Sequence, residues 1–228
     1  FWIPVCFFLT AFFYSTVGFG GGSSYLALLA LAGVDYRDIP PTALVCNLIV
    51  TAGGCWHFYR AGHVKLRNVL PFMVLSIPMA YVGGRTPIAK DLFCVLLGIA
   101  LLAVALRMFL PGERGEQAQD ISWKQAWGVG LPLGALLGFL AGLIGIGGGI
   151  FLSPLLLLMG WVHVKEAAAS ASFFIFVNSL SGLAGQLQKG TVPLEWILPL
   201  SLAVLVGGQI GSRLGAYQIP KMRLRQLL

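Results

Sequence analysis

The sequence predicts an all-α polytopic membrane protein made of two inverted repeats. Each repeat is a broken, re-entrant helical hairpin at a Gly-x-Gly-Gly-Gly turn plus about three transmembrane helices. Three observations carry this prediction. Of 228 residues, 57% are hydrophobic and 10% charged, whereas a soluble domain carries about 25% charged residues. The apolar residues form continuous runs, not the short alternating segments of a membrane β-barrel. And Gly18-Phe19-Gly20-Gly21-Gly22 recurs as Gly145-Ile146-Gly147-Gly148-Gly149, each copy inside a charge-free run.

Those two runs, Phe1 to Val34 and Gln125 to Val164, would span roughly 50 to 60 Å as straight helices, against a bilayer core of about 30 Å. Neither is one helix crossing once. Each has to break, and glycine is where a break costs least. The first run therefore reads as an arm to Val17, a glycine turn, and a return from Ser23 to Gly33. Asp35 to Pro41 is a loop whose prolines open the next helix. Spans follow at Thr42 to Tyr59, Val69 to Gly84 (softened by Pro71 and Pro78) and Leu92 to Leu106. Arg60 to Asn68 is a basic loop, and Arg85 to Asp91 another loop. Pro111 to Lys124 is polar and mixed in charge, the signature of a linker.

The second half repeats the order: glycine turn, Ile150 to Gly160, a loop at His163 to Glu166, and spans at Ala167 to Leu187 and Trp196 to Ser212. An offset of 128 aligns Gly54 with Gly182, Gly62 with Gly190, Pro71 with Pro199, Gly83 with Gly211 and Arg85 with Arg213, and the turns themselves differ by 127. This is an internal duplication. It divides the chain into a first repeat (1–110), a cytoplasmic linker (111–124) and a second repeat (125–228) whose last helix is missing or truncated. No cleavable signal peptide is evident, and the natural start is expected upstream of Phe1.

Charge decides the symmetry. If each glycine element crosses the membrane, the basic residues divide almost evenly between the faces. If each returns to its own side, eleven collect on one face and four (Arg37, Arg85, Lys90 and Lys189) on the other. The positive-inside rule favours the second arrangement. Each half then crosses an odd number of times, so the halves are inverted, a common plan among secondary transporters. The linker and basic C-terminal segment fall in the cytoplasm, which predicts a multi-pass inner (plasma) membrane protein. The net charge of +7 lies in loops and does not point to nucleic acid.

A helix starting after a glycine turn offers free N–H groups and the positive end of its dipole, and glycine lets an anion approach them closely. Two such turns facing each other would hold a small anion without a buried charge. The expected site is Gly20, Gly21, Gly22, Ser23 and Ser24 in the first copy, with Gly147, Gly148, Gly149 and Ser153 in the second. Asn47 and Thr51, four apart on one helix face, and Asn178 add polar groups. The competing explanation is structural: small residues let helices approach, and Asn, Ser and Thr bond across helices. No Gly-Lys-Ser/Thr follows either turn, which excludes a P-loop.

Other chemistry is thin. All eight carboxylates fall in or beside loops, so a buried acidic proton relay lacks its parts. The four cysteines, Cys6, Cys46, Cys55 and Cys94, form no CxxC pair and read as small hydrophobes. No cofactor and no metal site is expected. His57 reads as interfacial beside Trp56 and Tyr59, and Arg85 and Arg213 as headgroup anchors.

The duplicated glycine hairpins, the run Gly142-Leu-Ile-Gly-Ile-Gly-Gly-Gly-Ile-Phe-Leu-Ser-Pro154, and spans closing on Gly83-Gly84-Arg85 and Gly211-Ser212-Arg213 resemble the TauE/SafE sulfite exporter family over nearly the whole chain. Ser23-Ser24-Tyr25 departs from the family pattern, which commonly has a proline-containing segment there. The resemblance implies a permease for small sulfur-containing or organic anions such as sulfite, sulfoacetate or other sulfonates; sulfur comes from the resemblance alone. An anion channel on the same scaffold is the alternative. An intramembrane enzyme would need a partnered nucleophile or base, and no buried cluster supplies one. The expected partners are a small anion and the lipid bilayer; homo-oligomerisation is left open.

Overall fold

A computed structural model describes residues 2–109, 123–190 and 194–218. Among these the chain is entirely helical: α1 (Trp2–Thr16), α2 (Gly22–Leu31), α3 (Ile39–Arg60), α4 (Leu66–Arg85), α5 (Lys90–Phe109), α6 (Trp123–Ile144), α7 (Gly149–Leu158), α8 (Val164–Gln186) and α9 (Leu194–Arg213), the last ending in a π-helical turn, Leu214–Gln218. Four stretches, Ile39–Arg60, Trp123–Ile144, Val164–Gln186 and Ile197–Gln218, are long and apolar enough to cross a membrane. Residues 111–122 of the expected linker lie outside the described residues, whereas Trp123 and Lys124 open α6. The expected truncated final helix, at 219–228, also lies outside them.

Both charge-free runs break where the glycines are. The first is split between Thr16 and Gly22, the second between Ile144 and Gly149. Gly21 precedes α2 with φ 91°, and Gly148 precedes α7 with φ 74°. These are left-handed conformations that an L side chain resists, which is why the turn chemistry calls for glycine. After its break the first run doubles back. The Phe7 and Tyr25 rings stack at 4.5 Å, and a Cβ on Gly21 would lie 3.0 Å from Thr10 Cγ2.

The long helices pack across the halves. α1 lies along α9 and α4 along α6, while α3 and α8 contact each other through the centre. Small residues set these distances. On α6, Gly134, Gly138 and Gly142 press on the backbone carbonyls of Phe72, Ser76 and Ala80. On the α9 side, Gly207, Gly211 and Gly215 press on those of Phe8, Phe12 and Thr16. In lipid there is no water to expel between helices, so close backbone approach supplies the packing. Outward, Leu31 is 81% exposed, with Phe13, Ile99, Leu102 and Leu198 also strongly exposed. That surface suits hydrocarbon.

α3 and α8 run in opposite directions. Pro40, near the start of α3, and Gln186, at the end of α8, line one cavity. At the other end Lys65 Nζ lies 2.7 Å from Glu166 Oε1, and Glu166 Oε2 accepts the His163 amide at 3.1 Å. The carboxylate thereby satisfies an orphan donor at the start of α8.

Candidate functional site at the paired glycine breaks

The two breaks meet. A Cβ on Gly22 would lie 2.6 Å from the Ile146 carbonyl oxygen and 2.6 Å from Asn47 Nδ2, and one on Gly147 would lie 2.9 Å from the same Nδ2. Asn47 also faces Gly20. Its amide donates a long hydrogen bond to the Gly145 carbonyl (3.5 Å), while its Oδ1 has no partner. Asn47 is fully buried near the middle of α3, so one side chain stands between both breaks.

The geometry leaves donors free. The amides of Gly22, Ser23 and Ser24 at the start of α2, and of Gly149 and Ile150 at the start of α7, make no hydrogen bond among the described residues. They carry the positive ends of two short helix dipoles. Between the breaks is a void of about 10 Å³, walled by Gly20 to Ser23, Tyr14, Phe19, Ile146, Ile150 and Ile175. A cavity of that size takes one water, so the breaks are closed over a space smaller than an oxyanion.

The expected site residues divide. Gly20, Gly21, Gly22, Ser23, Asn47 and Gly147 come together at or around the void. Gly149 packs on Ile175, which itself lines the void, and Gly148 turns toward Phe174 and Ala141. The Ser24 hydroxyl donates to Tyr14 Oη at 3.0 Å. The Thr51 hydroxyl donates to the Asn47 carbonyl at 2.6 Å, and Asn178 Nδ2 to the Phe174 carbonyl at 2.8 Å. Both bonds fall within their own helices. Ser153 is buried with no partner for its hydroxyl and does not line the void.

Three groups at the breaks were not in the expected set. The Tyr25 hydroxyl is buried without a partner, 2.9 Å from where a Gly21 Cβ would sit. The Ser179 hydroxyl, also unpartnered, lies 3.5 Å from the Gly147 position. Gln186 Nε2 donates to the Gly142 carbonyl at 2.9 Å and more weakly to that of Leu143 at 3.5 Å. It ties the end of α8 to the last turn before the second break. Tyr25 directly follows the two serines, and Ser179 and Gln186 are polar residues in an apolar span, but sequence spacing does not say which of these groups reach the breaks.

A larger cavity of about 700 Å³ opens near the second break, at the end of the molecule where α3 begins and α8 ends. Its inner wall holds Pro40, Leu143 and Gln186; its outer part holds Tyr36, Arg37, Asp38 and Lys189. Gly145 abuts Pro40, with a Cβ there 2.8 Å from the proline Cα. So the vestibule adjoins the start of the second break, whose Ile146, with Ile150 just after it, lines the void. Burial raises the Asp38 carboxyl above its ordinary range, with Asp35 adding to the effect, and partial burial lowers the Lys189 ammonium.

Among the described residues no group of three or more His, Cys, Asp or Glu is placed to hold a metal ion. The free cysteines are dispersed.

The family profile described as "Sulfite exporter TauE/SafE" matches residues 3–228. The "Probable membrane transporter protein y4hK" of Sinorhizobium fredii is 34% identical, over 99% of this chain and 92% of its own. The "Probable membrane transporter protein YunE" of Bacillus subtilis is 24% identical over 94% and 86%. That of Methanocaldococcus jannaschii, MJ0441, is 27% identical over 94% and 85%. No solved structure matches the chain. Matched along nearly its full length, and similar to proteins named as membrane transporters and not to enzymes, the chain belongs to the TauE/SafE sulfite exporter family.

Proposed function

We propose that the protein is a secondary transporter that exports small sulfur-containing or organic anions, such as sulfite, sulfoacetate or other sulfonates, across the inner membrane by alternating access. The observation that carries the reading is the meeting of two glycine breaks around Asn47, with free helix amides and, among the described residues, no buried charged side chain. Backbone dipoles in a low-dielectric site attract an anion strongly, and without a fixed cation they also release it. The family's name supports sulfite as cargo.

An inverted repeat supports the alternation. Gly83 on α4 meets the Phe139 carbonyl, and Gly211 on α9 meets that of Phe12. These contacts are related by the repeat offsets of 128 and 127 in the sequence. The mouth beside Arg37 and Lys189 is the face with fewer basic residues, which the positive-inside rule puts outside. A void of about 10 Å³ between the breaks suits a carrier between loaded states more than an open pore.

Radiolabelled sulfite or sulfonate uptake into proteoliposomes tests this. Saturable flux with counterflow is expected, and unitary conductance would favour the channel instead. Gly22→Val and Gly149→Val should abolish flux in protein that still purifies as a folded species. Wild-type rates in such folded variants would remove the breaks from the transport path.

A further inference from the structure

We propose that the 700 Å³ vestibule is itself a binding site, in which Arg37 and Lys189 hold a small oxyanion on its way to or from the second glycine break. The inference rests on the transport reading above but concerns a different place in the molecule.

Neither cation is held in an ion pair, although Asp35, whose carboxylate accepts the Arg37 amide at 2.9 Å, acts on Arg37 from nearby. Among the described residues Arg37 and Lys189 have no carboxylate within ion-pair distance, although Asp38 lines the same cavity. The Arg37 Nε donates to Tyr36 Oη at 3.2 Å, and its guanidinium lies 5.5 Å from the centre of that ring. This holds the group at the mouth with most of its donors unused. Lys189 Nζ donates to the Thr86 carbonyl at 3.2 Å, which fixes it at the wall and leaves two N–H bonds over. At the opposite end of α3 and α8 the arrangement differs: Lys65 is matched with Glu166 at 2.7 Å. So two cations without a carboxylate partner, Arg37 and Lys189, face this cavity.

The cavity also leads to the right place. Its inner wall is Pro40, Leu143 and Gln186; Pro40 abuts Gly145, and Gln186 donates to the Gly142 and Leu143 carbonyls just before it. Asn47 donates to the Gly145 carbonyl. A concave, partly desolvated mouth in which cations outnumber carboxylates, Arg37 and Lys189 against Asp38, raises the local concentration of anions. Arginine with lysine suits an oxyanion with at least two accepting oxygens, so sulfite and sulfonates fit and a halide gains less.

The test has two arms. In the purified full-length protein, Lys189 is acetylated with a water-soluble succinimidyl ester and its labelling rate read by mass spectrometry, with and without millimolar methanesulfonate. Slowing of about threefold or more at Lys189 is expected, absent in Arg37→Gln, while Lys65 labels at an unchanged rate. In proteoliposomes, Arg37→Gln and Lys189→Gln should each raise KM for uptake by about threefold to tenfold with Vmax within about twofold. Lys189→Arg should restore KM. Unprotected Lys189 labelling, or wild-type KM in both glutamine variants, overturns the docking site while leaving transport through the breaks standing. If the protein moves no sulfite or sulfonate, the transport reading falls and the labelling arm alone decides the site.

Discussion

At the scale of single residues, Asn47 carries more than its composition suggests. It is buried, touches both breaks, and keeps its Oδ1 unpaired. Asn47→Ala leaves the Gly145 carbonyl without its donor and should cost about 1 to 2 kcal/mol, read as a lower melting temperature in detergent. Asn47→Asp places a carboxylate between two positive helix ends, where it occupies the position offered to the cargo. Uptake should fall at least about tenfold, and normal uptake in folded Asn47→Asp would count against an anion passing there. The asparagine was legible in the sequence because it is a polar residue in an apolar span. Its neighbour Thr51 was equally legible but turns its hydroxyl to its own helix at 2.6 Å, a choice between two rotamers that no spacing rule decides. Arg37 and Lys189 were visible only as loop charges, because which loops converge on one cavity is set by packing.

At the scale of elements, the glycines serve two purposes that sequence spacing separates. Clusters at consecutive positions make the left-handed breaks. Glycines four apart, Gly134, Gly138 and Gly142, make a smooth face on α6 against α4. Gly138→Leu drives a side chain into the Ser76 backbone and should destabilise the fold by about 3 kcal/mol or more, seen as loss of the monodisperse peak in size-exclusion chromatography. Gly128 has nothing within 4 Å of its Cβ position, so Gly128→Ala should leave that peak unchanged. The Lys65–Glu166 pair makes a smaller contribution: Lys65 is 55% exposed, so Lys65→Met should shift stability by no more than about 1 kcal/mol, measured by thermal melting. The sequence marked both glycine breaks, since glycine clusters are local signals, and its spans at Thr42 to Tyr59, Ala167 to Leu187 and Trp196 to Ser212 fall on helices long and apolar enough to cross a membrane; the fourth such helix, Trp123–Ile144, is the arm it read as part of a re-entrant hairpin. It was silent on which helix lies beside which.

At the scale of the whole molecule, the vestibule should make transport depend on pH. The ionisable groups in its lining are Tyr36, Arg37, Asp38 and Lys189, with Asp35 acting on Asp38. The Asp38 carboxyl is raised, so as pH falls it takes up a proton earlier than an ordinary carboxylate and the mouth becomes more positive. The Lys189 ammonium is lowered, so as pH rises it loses its charge earlier than an ordinary lysine. Both shifts predict a KM for a strong-acid sulfonate that increases from mildly acidic to alkaline pH. Asp38→Asn should flatten the acidic limb and Lys189→Arg the alkaline one. A flat profile in the parent protein would show that these charges do not act on the cargo.

The exchange of partners between the halves has a consequence for how the protein is made. Helix α1 leaves the ribosome well before α9, along which it packs, its backbone meeting Gly207, Gly211 and Gly215 on that side. During synthesis α1 must wait in the lipid, its mate not yet translated, and this pairing closes only once α9 has been made. A fragment that stops at the linker should therefore enter the membrane yet remain protease-sensitive, and supplying the remaining fragment in the same cell should restore resistance.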